Sequence, residues 1–103
     1  AGSKIVVVMG HTKCGAVTAA CKNVELGNIT ALLSKIKPAV EMCSKGVKMD
    51  AETIEEVVIQ NVLLSIQNIR EESPILAEME QEGSILIVGA IYSVATGEVE
   101  FLS

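Results

Sequence analysis

The chain has 103 residues, half of them hydrophobic, with one tyrosine and one phenylalanine as its aromatic residues and a formal net charge of −5. This length suits one core, so we expect a single domain over residues 1–103 with an interior of Val, Ile, Leu, Ala and Met. The acidic balance argues against a nucleic-acid-binding surface, and no apolar run approaches the ~20 residues that a membrane span requires.

The cysteine content indicates a reducing compartment. Three cysteines are an odd number, and the first residues lack the basic-then-apolar order of a signal peptide. A disulfide framework is therefore not expected. We expect reduced thiols and a cytoplasmic location.

The first predicted element is a β-strand over residues 4–9. This run is β-branched and almost unbroken in its apolar character, which is typical of a strand buried on both faces of a parallel sheet. Gly10 closes the strand. Small residues then predict a short helix over residues 15–21, and residues 23–27 read as the break after it.

Three further helices are predicted in the middle of the chain. The first is capped at residue 28, covers residues 29–36, and is bent or restarted at Pro38. The longest helix, over residues 51–69, follows an N-cap at Asp50, and its broad apolar coverage indicates that it is covered on more than one side. A short helix opens at a Ser-Pro pair and spans residues 73–83.

The chain closes with two predicted strands joined by a tight connection at residues 95–97. Residues 85–91 repeat the buried-strand pattern, and residues 98–102 alternate charged and apolar side chains like an edge strand with one wet face. The element order predicts an α/β fold in which the first two strands are parallel, the last is antiparallel, and helices pack on the sheet. The apolar first strand would leave a sheet edge with unmet hydrogen bonds, so we expect something to pair there.

The most informative stretch is "VVVMGHTKCGAV" at residues 6–17, which contains the only histidine, His11, and Cys14 three residues later. It lies at the junction between a predicted strand and a predicted helix. In α/β sheets, ligands bind at the carboxyl ends of the strands. Imidazole and thiolate are common zinc ligands, and the two-residue gap lets both turn toward one ion. The spacing alone also fits a buried structural thiol, or a redox-sensing Cys14 beside Lys13.

Two phosphate chemistries are excluded by the residues around this turn. Gly10 and Gly15 have the offset of a P-loop, but Ala16 and Val17 stand where lysine and a hydroxyl residue must follow. A cysteine-dependent phosphatase needs an arginine soon after its nucleophile, and the only arginine is Arg70.

The stretch resembles the zinc-binding segment of the β-class carbonic anhydrases, in which a strand delivers a His-x-x-Cys-Gly-Ala turn into a helix. The resemblance continues in order through "ITALLSKIKPAV", "NVLLSIQNIREESPIL" and "GSILIVGAIYSVATGEVEFL". It implies the C-terminal portion of a β-carbonic anhydrase fold, a homo-oligomer, and reversible hydration of carbon dioxide to bicarbonate. It also implies that His11 and Cys14 are zinc ligands, and it makes Gly15 a candidate for the substrate pocket.

The sequence departs from the family pattern at one important place. The family has an earlier Cys-x-Asp-x-Arg segment, which supplies another cysteine ligand and an Asp–Arg pair, and nothing in this chain matches it. Cys21 lies two helical turns, about 10 Å, beyond Cys14, and we expect Cys21 and Cys43 to be buried structural residues. The resemblance therefore implies an incomplete site without an assigned catalytic residue. The alternative is a catalytically inert carbonic-anhydrase-like module that self-associates through its bare strand edge.

Other polar residues are predicted to have ordinary surface roles. The acidic positions Glu55, Glu56 and 78–82 are expected to be solvated, and Arg70 to donate a surface ion pair. Tyr92, just past the second buried strand, is expected to pack in the core, with an approach to the candidate site as the alternative.

Overall fold

The computed structural model describes residues 4–22, 30–43 and 50–102. In chain order its elements are β1 (Ile5–His11), α1 (Gly15–Cys21), α2 (Thr30–Cys43), α3 (Ala51–Glu72), α4 (Pro74–Gln81), β2 (Leu86–Tyr92) and β3 (Val99–Leu102). The sheet has the order β1-β2-β3, with β1 parallel to β2 and β3 antiparallel to β2. The predicted α/β fold and both strand orientations are confirmed.

Helix boundaries follow the capping residues of the sequence. The Asp50 carboxylate accepts a hydrogen bond from the Thr53 amide at 2.8 Å, which begins α3. The Ser73 hydroxyl accepts from the Leu76 amide at 3.3 Å, and Pro74 is the first residue of α4. Helix α2 continues through Pro38, so of the two predicted alternatives a restart there is wrong, and a bend stays a prediction. The predicted break at 23–27 and the cap at residue 28 lie outside the described residues.

Helix α3 packs on one face of the sheet, against β1 and β2, and α1, α2 and α4 pack against α3. Two glycines of the sheet allow α3 to approach it closely. A Cβ at Gly10 would lie 2.9 Å from methyl carbons of both Val58 and Val62, and a Cβ at Gly89 would lie 2.9 Å from Val62. Gly10 therefore belongs inside β1, which runs on to His11, and the prediction that this glycine closes the strand is wrong.

The core lies between the helices and this one face of the sheet. Its fully buried members include Val57 and Ala39, both 0% exposed. The opposite face is open: Ile5, Val7 and Met9 of β1 are 57%, 43% and 52% exposed. The prediction that β1 is buried on both faces is therefore wrong for the described part of the chain, because no described helix covers its second face.

Strand β3 also differs from its predicted exposure pattern. Phe101 pairs with Ala90 and is 65% exposed, whereas Glu100 pairs with Ile91, on the side of the sheet that carries α3. The solvent-exposed side of this edge strand is thus not only the side that carries its charged residues. None of the described helices has the length and apolar character needed to cross a membrane.

Candidate metal centre

The two candidate metal ligands flank a tight turn at the carboxyl end of β1. His11 is the last residue of β1, and Cys14 is the N-cap residue of α1, in extended conformation. The residues between them, Thr12 and Lys13, carry the chain from the sheet into the helix. The structure therefore places His11 and Cys14 at the strand-to-helix junction that the sequence predicts.

The His11 ring has one nitrogen engaged and one available. Its Nδ1 lies 2.9 Å from the Thr12 carbonyl oxygen. Because a carbonyl oxygen only accepts hydrogen bonds, Nδ1 carries the proton and donates. With the Nδ1 proton engaged in this way, Nε2 is the nitrogen whose lone pair would bind a metal.

Thr12 joins the ends of the two parallel strands. Its amide donates to the Tyr92 carbonyl at 2.9 Å, and its hydroxyl oxygen accepts from the Val94 amide at 3.1 Å. These bonds cross from the residue after β1 to the residues that end and follow β2. No local sequence pattern points to these bonds, because the partners of Thr12 lie about 80 positions away in the chain.

Lys13 is the conformationally unusual residue of the turn. Its φ of 55° lies in the left-handed region, which disfavours residues with a side chain. Its amide donates to Glu55 Oε1 of α3 at 3.2 Å. The Glu55 carboxylate thus lies at the surface, as predicted, and in addition accepts a backbone hydrogen bond from the turn.

Cys14 is half-buried and packs against the core cluster that α1, α2 and α3 share. Its carbonyl accepts from both the amide of Thr18, at 3.0 Å, and the Thr18 hydroxyl, at 2.8 Å. The thiol makes no capping hydrogen bond. The backbone of Cys14 is thus firmly held by the first helical turn, and its sulfur is left without a structural hydrogen bond at the cap.

An open pocket of about 380 Å³ lies beside His11, lined by Met9, Gly10, His11, Tyr92 and Val94. Tyr92 is the register partner of His11 and is 38% exposed. The core-packing interpretation of Tyr92 is wrong, and Tyr92 lies beside His11 in this pocket; its approach to a metal site stays a prediction.

Gly15 opens α1 and is exposed, and a Cβ there would meet nothing within 4 Å. It is not among the residues that line the pocket beside His11. Its role in substrate binding stays a prediction.

The described residues supply only part of a zinc site. The donor types of His11 and Cys14 suit zinc, but no group of three His, Cys, Asp or Glu side chains able to hold a metal occurs among residues 4–22, 30–43 and 50–102.

Cys21 and Cys43 end α1 and α2, are half-buried rather than buried, and pack against the same core cluster as Cys14. Burial raises the pKa of both thiols.

Comparison with known proteins identifies relatives of one kind. The family model for carbonic anhydrase matches residues 1–99. A carbonic anhydrase of Mycolicibacterium smegmatis is 27% identical over 104 residues, which cover 96% of this chain and 49% of that protein.

Solved structures agree with this result. The β-carbonic anhydrase CafA of Aspergillus fumigatus superimposes with a TM-score of 0.82 at 30% identity and covers 97% of this chain and 49% of its own. A tetrameric β-carbonic anhydrase of Sordaria macrospora has the same fold, with a TM-score of 0.84 at 19% identity, over 97% of this chain and 52% of its own. The chain thus spans about half the length of the relatives it matches.

Proposed function

Because this chain belongs to the carbonic anhydrase family and has the fold of its β class, we propose that it contributes His11 and Cys14 to the zinc site of a carbonic anhydrase. The proposed reaction is the reversible hydration of carbon dioxide to bicarbonate. The chain is the part of the domain that carries these two ligands, and further ligands come from outside the described residues.

The free Nε2 of His11 is the observation that carries this proposal. The Nδ1–H···O bond to Thr12 keeps the proton on Nδ1 and orients the ring, as carbonyl partners of metal-binding histidines do. Cys14 follows at the start of α1 with a thiol that no capping bond engages. An imidazole nitrogen and a thiolate at a strand-to-helix turn are a suitable half of a tetrahedral zinc site.

The neighbouring residues support the proposed substrate. Bound zinc supplies a coordinated water whose pKa lies near neutrality. Met9, Tyr92 and Val94 make the pocket beside His11 largely apolar, which suits a small nonpolar molecule such as carbon dioxide. Thr12 and Glu55 hold the turn that positions both ligands.

Zinc binding by variants with single substitutions tests the proposal. Zinc affinity of the purified chain would be measured by competition with a chelating dye, with His11→Ala and Cys14→Ser as test variants and Cys21→Ser as matched control. We expect weak binding, because two protein ligands are too few for a firm site, and at least a tenfold loss in both test variants. The control should bind zinc like the parent. Equal affinity in all four proteins would contradict the assignment.

An inert, self-associating carbonic-anhydrase-like module is the second candidate function. It is favoured by the lack of a third ligand in the described part of the chain and by the exposed apolar face of the sheet. A homo-oligomeric state is part of both proposals and is supported by the tetrameric Sordaria macrospora relative. The solution mass of the chain tests that state, and zinc uptake dependent on His11 separates the two candidates.

A cytoplasmic location is also proposed, supported by the three free cysteines, since thiols stay reduced in that compartment. Cell fractionation with an antibody against the chain tests it.

A further inference from the structure

The two cysteines that the proposed zinc site does not use lie at the ends of neighbouring helices. Cys21 is the last residue of α1, and Cys43 is the last residue of α2. The two helices pack against each other, and both cysteines pack against the core cluster that these helices share with α3. Both thiols are free. The fold therefore gathers two unpaired thiols, 22 positions apart in the sequence, in one region of the molecule.

Helical spacing places each cysteine on the core-facing side of its helix. Cys43 follows Ala39 by four residues and Val40 by three, and these two residues are 0% and 8% exposed. Cys21 follows Val17, which is 3% exposed, by four residues. Residues three and four apart share one helix face. Each thiol thus extends a buried face, while its own half-buried position leaves it within reach of a small solute.

The charges around the two thiols show that they are close and differ in character. Burial raises the pKa of Cys21, a charge on Cys43 raises it further, and the Lys37 ammonium acts in the opposite direction. Burial also raises the pKa of Cys43, and the Glu56 carboxylate adds to that effect. Lys37 Nζ lies 3.3 Å from the carbonyl oxygen of Ala20, the residue before Cys21. Cys21 therefore has a cation beside it, whereas Cys43 faces an anion.

We propose that Cys21 and Cys43 form a site of reversible oxidation, at which hydrogen peroxide converts the two thiols into a disulfide that joins α1 to α2. Cys14 is not the partner of Cys21, because these residues stand about 10 Å apart along the axis of α1. A disulfide usually joins Cα atoms that are about 4.4–6.8 Å apart. Disulfides inside cells are mostly transient and redox-sensing, which suits a pair that is reduced at rest.

The oxidation takes place in two displacement steps. The Cys21 thiolate attacks one oxygen of the peroxide, the O–O bond breaks, and the departing hydroxide takes up the thiol's proton to become water. The Cys43 thiolate then attacks the sulfur of the Cys21 sulfenic acid, forms the S–S bond and displaces hydroxide, which is protonated to a second water. The two sulfurs lose two electrons to the peroxide oxygens. A small thiol reverses the reaction by disulfide exchange.

The position of both cysteines at helix ends makes the bridge compatible with the fold. Terminal helical turns fray, so the last turns of α1 and α2 can adjust to the distance that a disulfide requires while the rest of each helix stays packed. The bridge closes the chain between the two helices into a loop, which reduces the conformational entropy of the unfolded chain. The oxidised protein is therefore expected to be more stable than the reduced protein.

Peptide mapping after oxidation tests the proposal. The reduced full chain would be treated with hydrogen peroxide, its remaining thiols alkylated, and its peptides analysed by mass spectrometry. We expect a Cys21–Cys43 bridge with the loss of two hydrogen atoms. Cys14→Ser should form this bridge in the same yield, and Cys21→Ser and Cys43→Ser should lose it at least tenfold. A bridge that needs Cys14, or separate sulfinic acids at Cys21 and Cys43 without a bridge, would overturn the proposal.

The same oxidation in urea separates native packing from chance encounter. The unfolded chain should give a mixture of bridges that includes Cys14–Cys21, whereas the native chain should give the Cys21–Cys43 bridge alone. The same mixture under both conditions would argue decisively against the site. Circular dichroism checks that each variant is folded.

Thermal melting of the Cys14→Ser chain provides a second readout that involves no zinc. Its bridged form should melt at a higher temperature than its reduced form, and a small thiol should restore the lower value. A bridged form that melts at or below the reduced form would contradict a link between packed helices. Because neither readout depends on a metal, failure of the proposed zinc site would leave this result unchanged.

Discussion

The backbones of His11 and Tyr92 lie side by side at the carboxyl ends of β1 and β2. The amide that follows His11 donates to the Tyr92 carbonyl at 2.9 Å, so the candidate ligand is tied to the sheet and not to a free loop. Its ring is oriented by the adjacent Thr12 carbonyl. Placement on a rigid strand end is what a metal ligand requires, because small displacements weaken coordination.

Replacing Thr12 tests the link between the two strand ends. Thr12→Val keeps the shape of the side chain but removes the oxygen that accepts from the Val94 amide, and we expect a loss of about 0.5–1.5 kcal/mol in unfolding free energy. Urea denaturation and exchange of the Val94 amide measure the effect. Thr12→Ser should restore both values. An unchanged Val94 exchange rate in Thr12→Val would show that the bond is not formed in solution.

A pair of glycine substitutions tests the close approach of α3 to the sheet. Gly10→Ala should destabilise the protein by about 1–3 kcal/mol, because its Cβ would lie 2.9 Å from Val58 and Val62. Gly15→Ala has open space, and alanine favours the helix, so it should stabilise by ~0.4–1 kcal/mol. Denaturation curves compare the two. Equal effects of the same added methyl group would contradict the packing.

Removing the carboxylate of Glu55 tests how the turn is anchored. Glu55→Ala deletes the acceptor for the Lys13 amide and should cost about 0.5–1.5 kcal/mol while exposing that amide to exchange. Glu55→Gln, which keeps an acceptor oxygen, should show a smaller loss. Glu56→Ala, at the exposed neighbouring position, should stay within about 0.5 kcal/mol of the parent. A larger effect at Glu56 than at Glu55 would refute the anchor.

The ion pair between α3 and α4 predicts a pH-dependent stability. Arg70 donates two hydrogen bonds of 2.7 Å to Glu80, and the guanidinium lowers the pKa of that carboxyl below its ordinary value of 4.5. A lowered folded-state pKa means that the stabilisation is fully present above about pH 4.5 and is lost as pH falls through the folded value.

Melting temperature as a function of pH measures this contribution. Arg70→Met should melt below the parent at neutral pH, and the difference should vanish in strong acid, where Glu80 is protonated. Asp50 also has a lowered pKa, through its bond from the Thr53 amide, but it is present in both proteins and cancels in the comparison. A difference that is the same at all pH values would rule out the ion pair as its source.

Local chemistry made much of the fold predictable. Asp50 and Ser73 are capping residues whose side chains accept hydrogen bonds from amides three residues later. The starts of α3 and α4 could therefore be predicted from short segments of sequence. The apolar runs before His11 and Tyr92 likewise predicted two parallel strands. The turn between His11 and Cys14 could be predicted in the same way, because both candidate ligands belong to one short segment.

The sequence by itself determined the elements, their order, and the two donors of the candidate metal centre. Tertiary structure alone decided what surrounds them: Thr12 meets Val94, and Lys13 meets Glu55, across long stretches of chain. It also decided that, among the described residues, helices cover one face of β1 and leave the other exposed, although Val6 and Val7 are identical in the sequence. The physical reason is that hydrophobicity is a property of each residue, whereas burial depends on which other element packs against it.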